Sequence, residues 1–137
     1  MLRILGIDMG EKRIGLAVSD PLGITAQGLK TIKVNGSEEA RKKLIEVINE
    51  KKAEKLIFGL PKNMNGTLGP QAEKVQEFAK KIENITKLPI EYEDERLSTV
   101  SAEQVLLMAD QSRAKRKKAI DRLSAVIILQ SYLDKTR

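Results

Sequence analysis

Carboxylates at three separate places in the chain are the side chains best suited to chemistry. Asp8 ends an apolar strand-like segment. Asp94 and Glu95 end another, and Asp121 lies near the start of the last predicted helix. An ionised carboxylate at the end of a buried strand is costly unless it is solvated, hydrogen-bonded or bound to a metal. Taken singly, each acid has a structural explanation of at least equal weight, because turns and helix N-termini also favour acids.

Taken together, the three places predict a metal site. Two strand ends and one helix start can meet at one edge of a sheet, where clustered carboxylates raise each other's pKa unless a cation lies between them. Mg²⁺ and Mn²⁺ prefer oxygen ligands, and a paired-metal site can activate water for phosphodiester hydrolysis. Successive strand residues face opposite sides, so Asp94 and Glu95 cannot both point into this site if the strand continues through them.

The composition excludes several other kinds of chemistry. The 137 residues include no His and no Cys. Without His there is no Ser-His-Asp triad, and without Cys there is neither a disulfide nor a thiolate nucleophile. The length predicts one domain over 1–137. The N-terminus lacks the pattern of a secretory signal, and no apolar run approaches the roughly 20 residues of a membrane span. We therefore expect a soluble, cytoplasmic protein with no membrane partner.

The net charge of +6 is concentrated in one segment. Residues 113–122 (RAKRKKAIDR) carry six basic side chains and one acid. Such a patch suits a polyanion, most simply a nucleic-acid backbone, although a solvated loop is the alternative. Lys12 and Arg13 follow Asp8 closely and could hold a phosphate, or could be exposed hairpin charges. The predicted nucleic-acid contacts are Lys12, Arg13, Arg113, Lys115, Arg116, Lys117 and Lys118.

Hydrophobic periodicity predicts a mixed α/β fold. The predicted strands are 4–8, 13–19, 28–34, 55–60 and 89–93, and the predicted helices are 37 onward, 71–85, 100–108 and 120–133. Strand–helix alternation after three initial strands favours a single mixed sheet with helices packed on it. The small residues Ser124 and Ala125 would let the last helix approach the sheet closely. Gly66 and Gly69, in the loop 61–70, could offer backbone N–H groups to a phosphate, which is a weak signal.

Four segments resemble the YqgF/RuvX family of RuvC-like nucleases in the ribonuclease H-like superfamily. They are 6–20 (GIDMGEKRIGLAVSD), 59–72 (GLPKNMNGTLGPQA), 93–102 (EDERLSTVSA) and 119–133 (AIDRLSAVIILQSYL). The match covers nearly the whole chain in the family's order. It implies a ribonuclease H-like mixed five-stranded sheet whose first three strands are antiparallel. Asn65 stands where the family usually has Asp, so this loop is not counted as a metal site.

The same resemblance implies a nuclease site that holds Mg²⁺ or Mn²⁺ on Asp8, Glu95 and Asp121. Glu95, the acid just before Arg96, is chosen over Asp94 as the second ligand. The implied function is processing of the 5′ end of pre-16S ribosomal RNA. Resolution of Holliday junctions in DNA by a dimer is the alternative, and a non-catalytic nucleic-acid-binding assembly factor is another. An actin-like phosphotransferase is disfavoured because the chain is too short for two domains. The oligomeric state stays open.

Overall fold

A computed structural model describes residues 3–63, 65–94 and 113–136, with side chains throughout except over 113–122. Six strands and three helices are present within these ranges. The strands are β1 (Ile4–Met9), β2 (Arg13–Ser19), β3 (Ala26–Gly28), β4 (Ile32–Lys33), β5 (Lys55–Leu60) and β6 (Ile90–Asp94). The helices are α1 (Ser37–Lys51), α2 (Pro70–Thr86) and α3 (Arg113–Thr136). The helix predicted at 100–108 lies outside the described residues.

The strands form one mixed sheet, as the sequence predicts, although it has six strands where five are expected. Its order is β3-β2-β1-β5-β6, and β4 also pairs with β2. The β1–β2, β2–β3 and β2–β4 pairs are antiparallel, whereas β5 pairs in parallel with both β1 and β6. The parallel pairs require crossovers, which α1 and α2 supply. The carboxyl ends of β1, β5 and β6 therefore lie along one edge of the sheet.

The single third strand predicted over 28–34 is wrong, because it is divided into β3 and β4. Gly28 pairs with Ala17, whereas Ile32 pairs with Ile14. The chain advances four residues from Gly28 to Ile32, whereas β2 advances only three between their partners. The extra residue makes a bulge. Alternation of apolar residues does not reveal such an insertion, so the sequence pattern gave one continuous strand.

Two hydrophobic cores lie on the opposite faces of the sheet. One face packs against α1 and α2 and includes alternate residues of the central strands, namely Leu5, Ile7, Leu16, Leu56 and Phe58. The other face packs against α3, through Ile4, Ala17, Ile57, Ala125 and Leu129. Because strand side chains alternate, Gly6 and Asp8 share the α3 face with Ile4.

The helix α3 begins at Arg113, seven residues before the predicted start at 120. The predicted boundary was wrong because it followed the apolar stripe, whereas Lys, Arg and Ala favour helix without one. The basic segment is therefore the first part of a helix and not a loop. Among the helices of the described residues, none has the length and apolarity that crossing a membrane requires.

The backbone of α3 comes unusually close to the sheet at Gly6. A Cβ atom built on Gly6 would lie 2.7 Å from the Cβ of Leu129 and 3.2 Å from the carbonyl oxygen of Ala125. Ser124 and Ala125 are fully buried at this contact side of the helix. The predicted close approach is confirmed, and a glycine on the sheet contributes to it as well as small residues on the helix.

We expect Gly6→Ala to lower the free energy of unfolding by about 1–3 kcal/mol, because the new methyl group overpacks the contact between β1 and α3. Urea denaturation measures the loss. The control is Gly28→Ala on the exposed strand β3, where the backbone is not in the left-handed region. Equal stabilities for the two variants would contradict a tight contact at Gly6.

Candidate active site

Asp8 lies at the carboxyl end of β1 on the face that α3 covers, and it is half-buried. Its partner on β2 is Gly15. On the other side, Ile7 pairs with Phe58, so the next residue of β5 beside Asp8 is Gly59. Glycines on both neighbouring strands leave the space beside the carboxylate free of strand side chains. Asp8 is thus the side chain that β1 and its two neighbouring strands present on this face at the level of its carboxylate.

The tight turn after β1 places two basic residues close to Asp8. The amide of Gly10 donates a hydrogen bond to the carbonyl of Arg13 at 2.8 Å. A Cβ on Gly10 would lie 2.9 Å from the same oxygen, so only glycine fits there without a shift. Lys12 is exposed and Arg13 is half-buried. Both predicted cations thus lie at the same end of the sheet as Asp8.

On β6, Asp94 lies on the opposite face from Glu91 and Glu93. Asp94 pairs with Leu60, a residue of the core against α1 and α2, and it is exposed. Glu93 pairs with Gly59 and contacts α3 instead. Glu95, the predicted second ligand, lies outside the described residues. The described part of β6 therefore places Asp94 away from the face that carries Asp8.

Asp121 lies on α3 one turn before Ala125, within the part of the helix whose side chains are not described. The same holds for the basic residues of 113–118. Across the part of the chain that the structure describes, no three acidic residues are grouped closely enough to hold a metal ion. The predicted convergence of Asp8, Glu95 and Asp121 stays a prediction.

The sequence analysis missed Glu93, a buried carboxylate held by α3. Its side chain is only 6% exposed and lies 2.5 Å from the Lys135 ammonium. The Ser131 hydroxyl donates a second hydrogen bond to it at 3.2 Å. The sequence feature that could have indicated Glu93 is its spacing of two residues from Glu91, because this spacing places both acids on one face of the strand. The pair attaches β6 to the last turns of α3.

A second polar group joins β5, β6 and α3. Lys55 forms an ion pair with Glu91 and donates to the Tyr132 hydroxyl at 2.5 Å. That hydroxyl donates to Glu91 at 2.7 Å. The hydrogen bond from Lys55, followed by that from Tyr132, lowers the pKa of Glu91. The same contacts, Glu91 first, raise the pKa of Lys55.

The loop after β5 uses its own polar groups internally. The amide of Gly66 donates to the carbonyl of Asn63 at 2.8 Å, so it does not offer a donor to phosphate as the sequence suggested. The Asn65 side chain accepts from the amide and the hydroxyl of Thr67 at 3.0 and 2.6 Å. Asn65 thus has a structural role in this turn.

Comparison with known proteins decides the assignment. The family model described as "RuvX: Holliday junction resolvase" matches residues 2–135. The chain belongs to the RuvX family. RuvX relatives named "Putative pre-16S rRNA nuclease" include one from Clostridioides difficile, 58% identical over 96% of this chain and 94% of its own length. Another, from Streptococcus mutans, is 53% identical over 98% of this chain and 99% of its own length.

Solved structures confirm the fold expected of a RuvX protein. RuvC of Thermus thermophilus, in complex with a Holliday junction substrate, superposes with a TM-score of 0.56 at 15% identity, over 90% of this chain and 92% of that chain. The fowlpox virus Holliday junction resolvase gives a TM-score of 0.63 at 13% identity, over 99% of this chain and 100% of the other. The RuvX chain therefore has the RuvC-like, ribonuclease H-like fold. As a family member it is a nuclease, a hydrolase of phosphodiester bonds whose partner is nucleic acid.

We expect Lys135→Ala to destabilise the RuvX chain by about 1–3 kcal/mol, because it leaves the buried Glu93 carboxylate with only the Ser131 hydroxyl as a described partner. Denaturant unfolding measures the effect. The matched control is Lys43→Ala, which removes an exposed ion pair with Glu39 and an exposed hydrogen bond to the carbonyl of Lys33. The control should have a clearly smaller effect, since exposed pairs contribute little. An equal loss from both variants would show that burial of Glu93 does not matter.

We also expect Glu91 to make stability depend on pH on the acid side. Its pKa is lower in the folded chain than the ordinary value of 4.5, so its stabilisation is present above that value and is lost as the pH falls through the lowered pKa. The difference in unfolding free energy between the unmodified chain and Glu91→Gln should therefore shrink in acid. Glu46→Gln, at an exposed position of α1, is the matched control for replacing an acid by its amide. A difference that is constant with pH would contradict the assignment.

Proposed function

We propose that this RuvX chain is a metal-dependent nuclease that processes the 5′ end of pre-16S ribosomal RNA. The observation that carries the proposal is Asp8, half-buried at the carboxyl end of β1 and flanked by glycines on the face that α3 covers. Ligands of open α/β sheets bind beside the carboxyl ends of the strands. The 53–58% identity to relatives named as pre-16S rRNA nucleases supports the substrate.

The course of α3 supports Asp121 as a partner of Asp8. The carbonyl of Ala125 lies over Gly6, and Tyr132 meets Lys55, whose partner on β1 is Ile4. The helix therefore runs opposite to β1. Asp121 is four residues, about 6 Å, before Ala125. Asp8 is two residues, about 6.6 Å, beyond Gly6 in the same direction.

The alternation of β6 supports Glu95 over Asp94 as the remaining ligand. Glu91 and Glu93 contact α3, whereas Asp94 pairs with Leu60 in the opposite core. A strand period of two that continued past Asp94 would put the next residue on the face of Glu93. This is the face that carries Asp8.

The donor set fits a hard divalent cation such as Mg²⁺ or Mn²⁺. Carboxylate oxygens are the ligands that these ions prefer, and a chain without His or Cys offers no competing nitrogen or sulfur set. When bound, such ions activate water and stabilise the charge of a phosphodiester displacement. Asp8, Glu95 and Asp121 would hold them. The two glycines beside Asp8 leave room for the ions and for the phosphate.

The basic part of α3 supports a role in gripping the backbone of the substrate. Residues 113–118 precede Asp121 by about one to two turns, so they continue the helix away from the core at the end where Asp8 lies. Lys12 and Arg13 lie at the same end. Contacts of this kind bind phosphate, depend strongly on salt and carry little sequence information.

Resolution of four-way DNA junctions is a second candidate function. It is favoured by the description of the matching family as a Holliday junction resolvase. Paired cuts at a two-fold symmetric junction require a symmetric dimer. A monomer in solution that cuts RNA would exclude this role.

The test is cleavage of a precursor rRNA and of a four-way junction with Mn²⁺ or Mg²⁺. We expect cutting of the RNA, and a fall of at least about 100-fold in rate for Asp8→Asn and for Asp121→Asn, because each removes a charged ligand. Glu50→Gln, an exposed acid at the end of α1, is the control and should cut normally. Circular dichroism must show that the variants are folded.

Three other outcomes would contradict the proposal. Cutting that persists in both Asp variants would reject the site, and cutting of the junction alone would favour the second candidate. If the chain binds the RNA but does not cut it with either metal, and Asp8→Asn still supports rRNA maturation in cells, the chain is an assembly factor.

A further inference from the structure

A cavity of about 400 Å³ lies on the other side of β1 from Asp8. It is bounded by the turn after β1, the first turns of α1 and one face of α2. Its volume is within the range of about 300–1,000 Å³ that is typical of small-molecule sites. The face against α3 already holds the proposed catalytic acid, so this cavity is a separate feature.

The cavity joins the proposed active site through β1. Met9, which lines it, directly follows Asp8, and Gly10 and Glu11 of the turn also contribute. Met9 packs with the core of α1 and α2, whereas Asp8 faces α3. The side chains of Asp8 and Met9 thus lie on opposite faces of the sheet at the carboxyl end of β1. The cavity and the proposed catalytic acid therefore lie on the two faces of the sheet at the same end of β1.

The interior of the cavity is apolar. Its floor consists of aliphatic and aromatic side chains from β1, α1, α2 and the segment before α1, which are Met9, Val34, Ala40, Val75 and Phe78. All of these except Met9 are buried, with an exposure of 7% or less. Such a floor suits a flat, weakly polar group and gives no favourable partner to a free charge.

The rim, in contrast, is polar and charged. Lys74 and Lys81 lie on one face of α2, two turns apart, and Glu77 lies between them. Glu11 and Ser37 complete the rim from the other side. Neither lysine forms an ion pair within the described ranges, so both ammonium groups are available to an incoming phosphate. The carboxylates can accept hydrogen bonds from amino groups.

The features of the cavity match the parts of a nucleotide. The cavity has an apolar floor, a rim with two lysine ammonium groups and two carboxylates that can accept hydrogen bonds, and a lining residue that directly follows Asp8. We propose that this cavity receives one unpaired nucleotide of the substrate, next to the phosphodiester that is cut. The base occupies the apolar floor and the phosphate lies at Lys74 and Lys81. This inference rests on the proposed nuclease function and adds a subsite to it. The preferred substrate then has single-stranded character beside the cut.

Abasic scanning of the RNA tests the subsite. Binding of oligonucleotides that each lack one base, stepped along the cleavage region, is measured in chelator so that no cutting occurs. We expect loss of one base adjoining the cut to weaken binding by about tenfold, the lower end for loss of a group from an apolar pocket. The position of the cut comes from parallel assays with metal. A flat scan by a chain that does cut would overturn the subsite and leave the nuclease function intact.

Variants connect the scan to the cavity. Ala40→Met fills the floor, and Lys74→Gln with Lys81→Gln removes the rim charges without touching the core. Each should bind the intact RNA about as weakly as the unmodified chain binds the abasic RNA. Lys80→Gln is the matched control, because Lys80 is an exposed lysine of α2 that does not line the cavity. An equal effect of Lys80→Gln and the rim variant would overturn the proposal, since only overall charge would then matter.

Small probes test the cavity even if no cutting is found. Adenosine monophosphate, adenosine and inorganic phosphate are titrated separately, and the backbone amide NMR signals of Gly36, Ala40 and Gln71 are followed. The monophosphate should shift these signals at lower concentration than either fragment, because base and phosphate bind together. Shifts with phosphate alone, or none at the cavity, would overturn the subsite. Failure of cleavage with normal monophosphate binding would reject the nuclease function only and leave a nucleotide site.

Discussion

The contact between the backbone of α3 and Gly6 of β1 is the constraint on which the rest of the structure depends. A helix usually packs on a sheet with side chains between the two backbones, but here a single methyl group on Gly6 would lie 2.7 Å from Leu129. The absence of a side chain on Gly6 sets both the distance of α3 from the sheet and the position of α3 along β1. Asp8 and Asp121 follow this contact by similar lengths of strand and helix, so the proposed convergence of the two acids depends on the same constraint.

Polar contacts fix the other side of α3. Glu93 is bound by Ser131 and Lys135, and the Lys55–Glu91–Tyr132 group lies next to it. An apolar face alone would let the helix slide or rotate, because hydrophobic contacts are not directional. Hydrogen bonds to a buried carboxylate have a preferred geometry and a large penalty when broken. The two kinds of contact together hold the helix at one angle over the sheet.

The predictable parts of the fold are those that repeat along the chain. The period of two in β1, β2 and β5 and the apolar stripes of α1 and α2 gave those elements nearly as they are observed. Single-residue events were not predictable. The bulge between Gly28 and Ile32 leaves the pattern unchanged, and the early start of α3 lies in a segment without apolar periodicity.

The candidate site divides in the same way. Asp8 could be singled out from sequence because a charge at the end of an apolar strand is unusual, and the structure places it, half-buried, at the carboxyl end of β1. For Glu93 the sequence offers only its spacing from Glu91, because its burial and its ion pair depend on Lys135, which is far away in the chain and ordinary in its local context. The cavity beside Met9 was also beyond sequence reasoning, since its walls come from three separated segments of the chain.

Among the strands that the structure describes, β6 lies at one end of the sheet, and this has a consequence for how copies of the protein meet. An edge strand with unpaired backbone groups is a template on which further strands can add, and this leads to aggregation. In β6, acidic residues occupy three of the five positions. Two copies aligned edge to edge would bring carboxylates of like charge together, and Glu91 and Glu93 would have to keep their lysines while doing so. The acids that hold α3 in place thus also protect the protein from polymerising through its sheet.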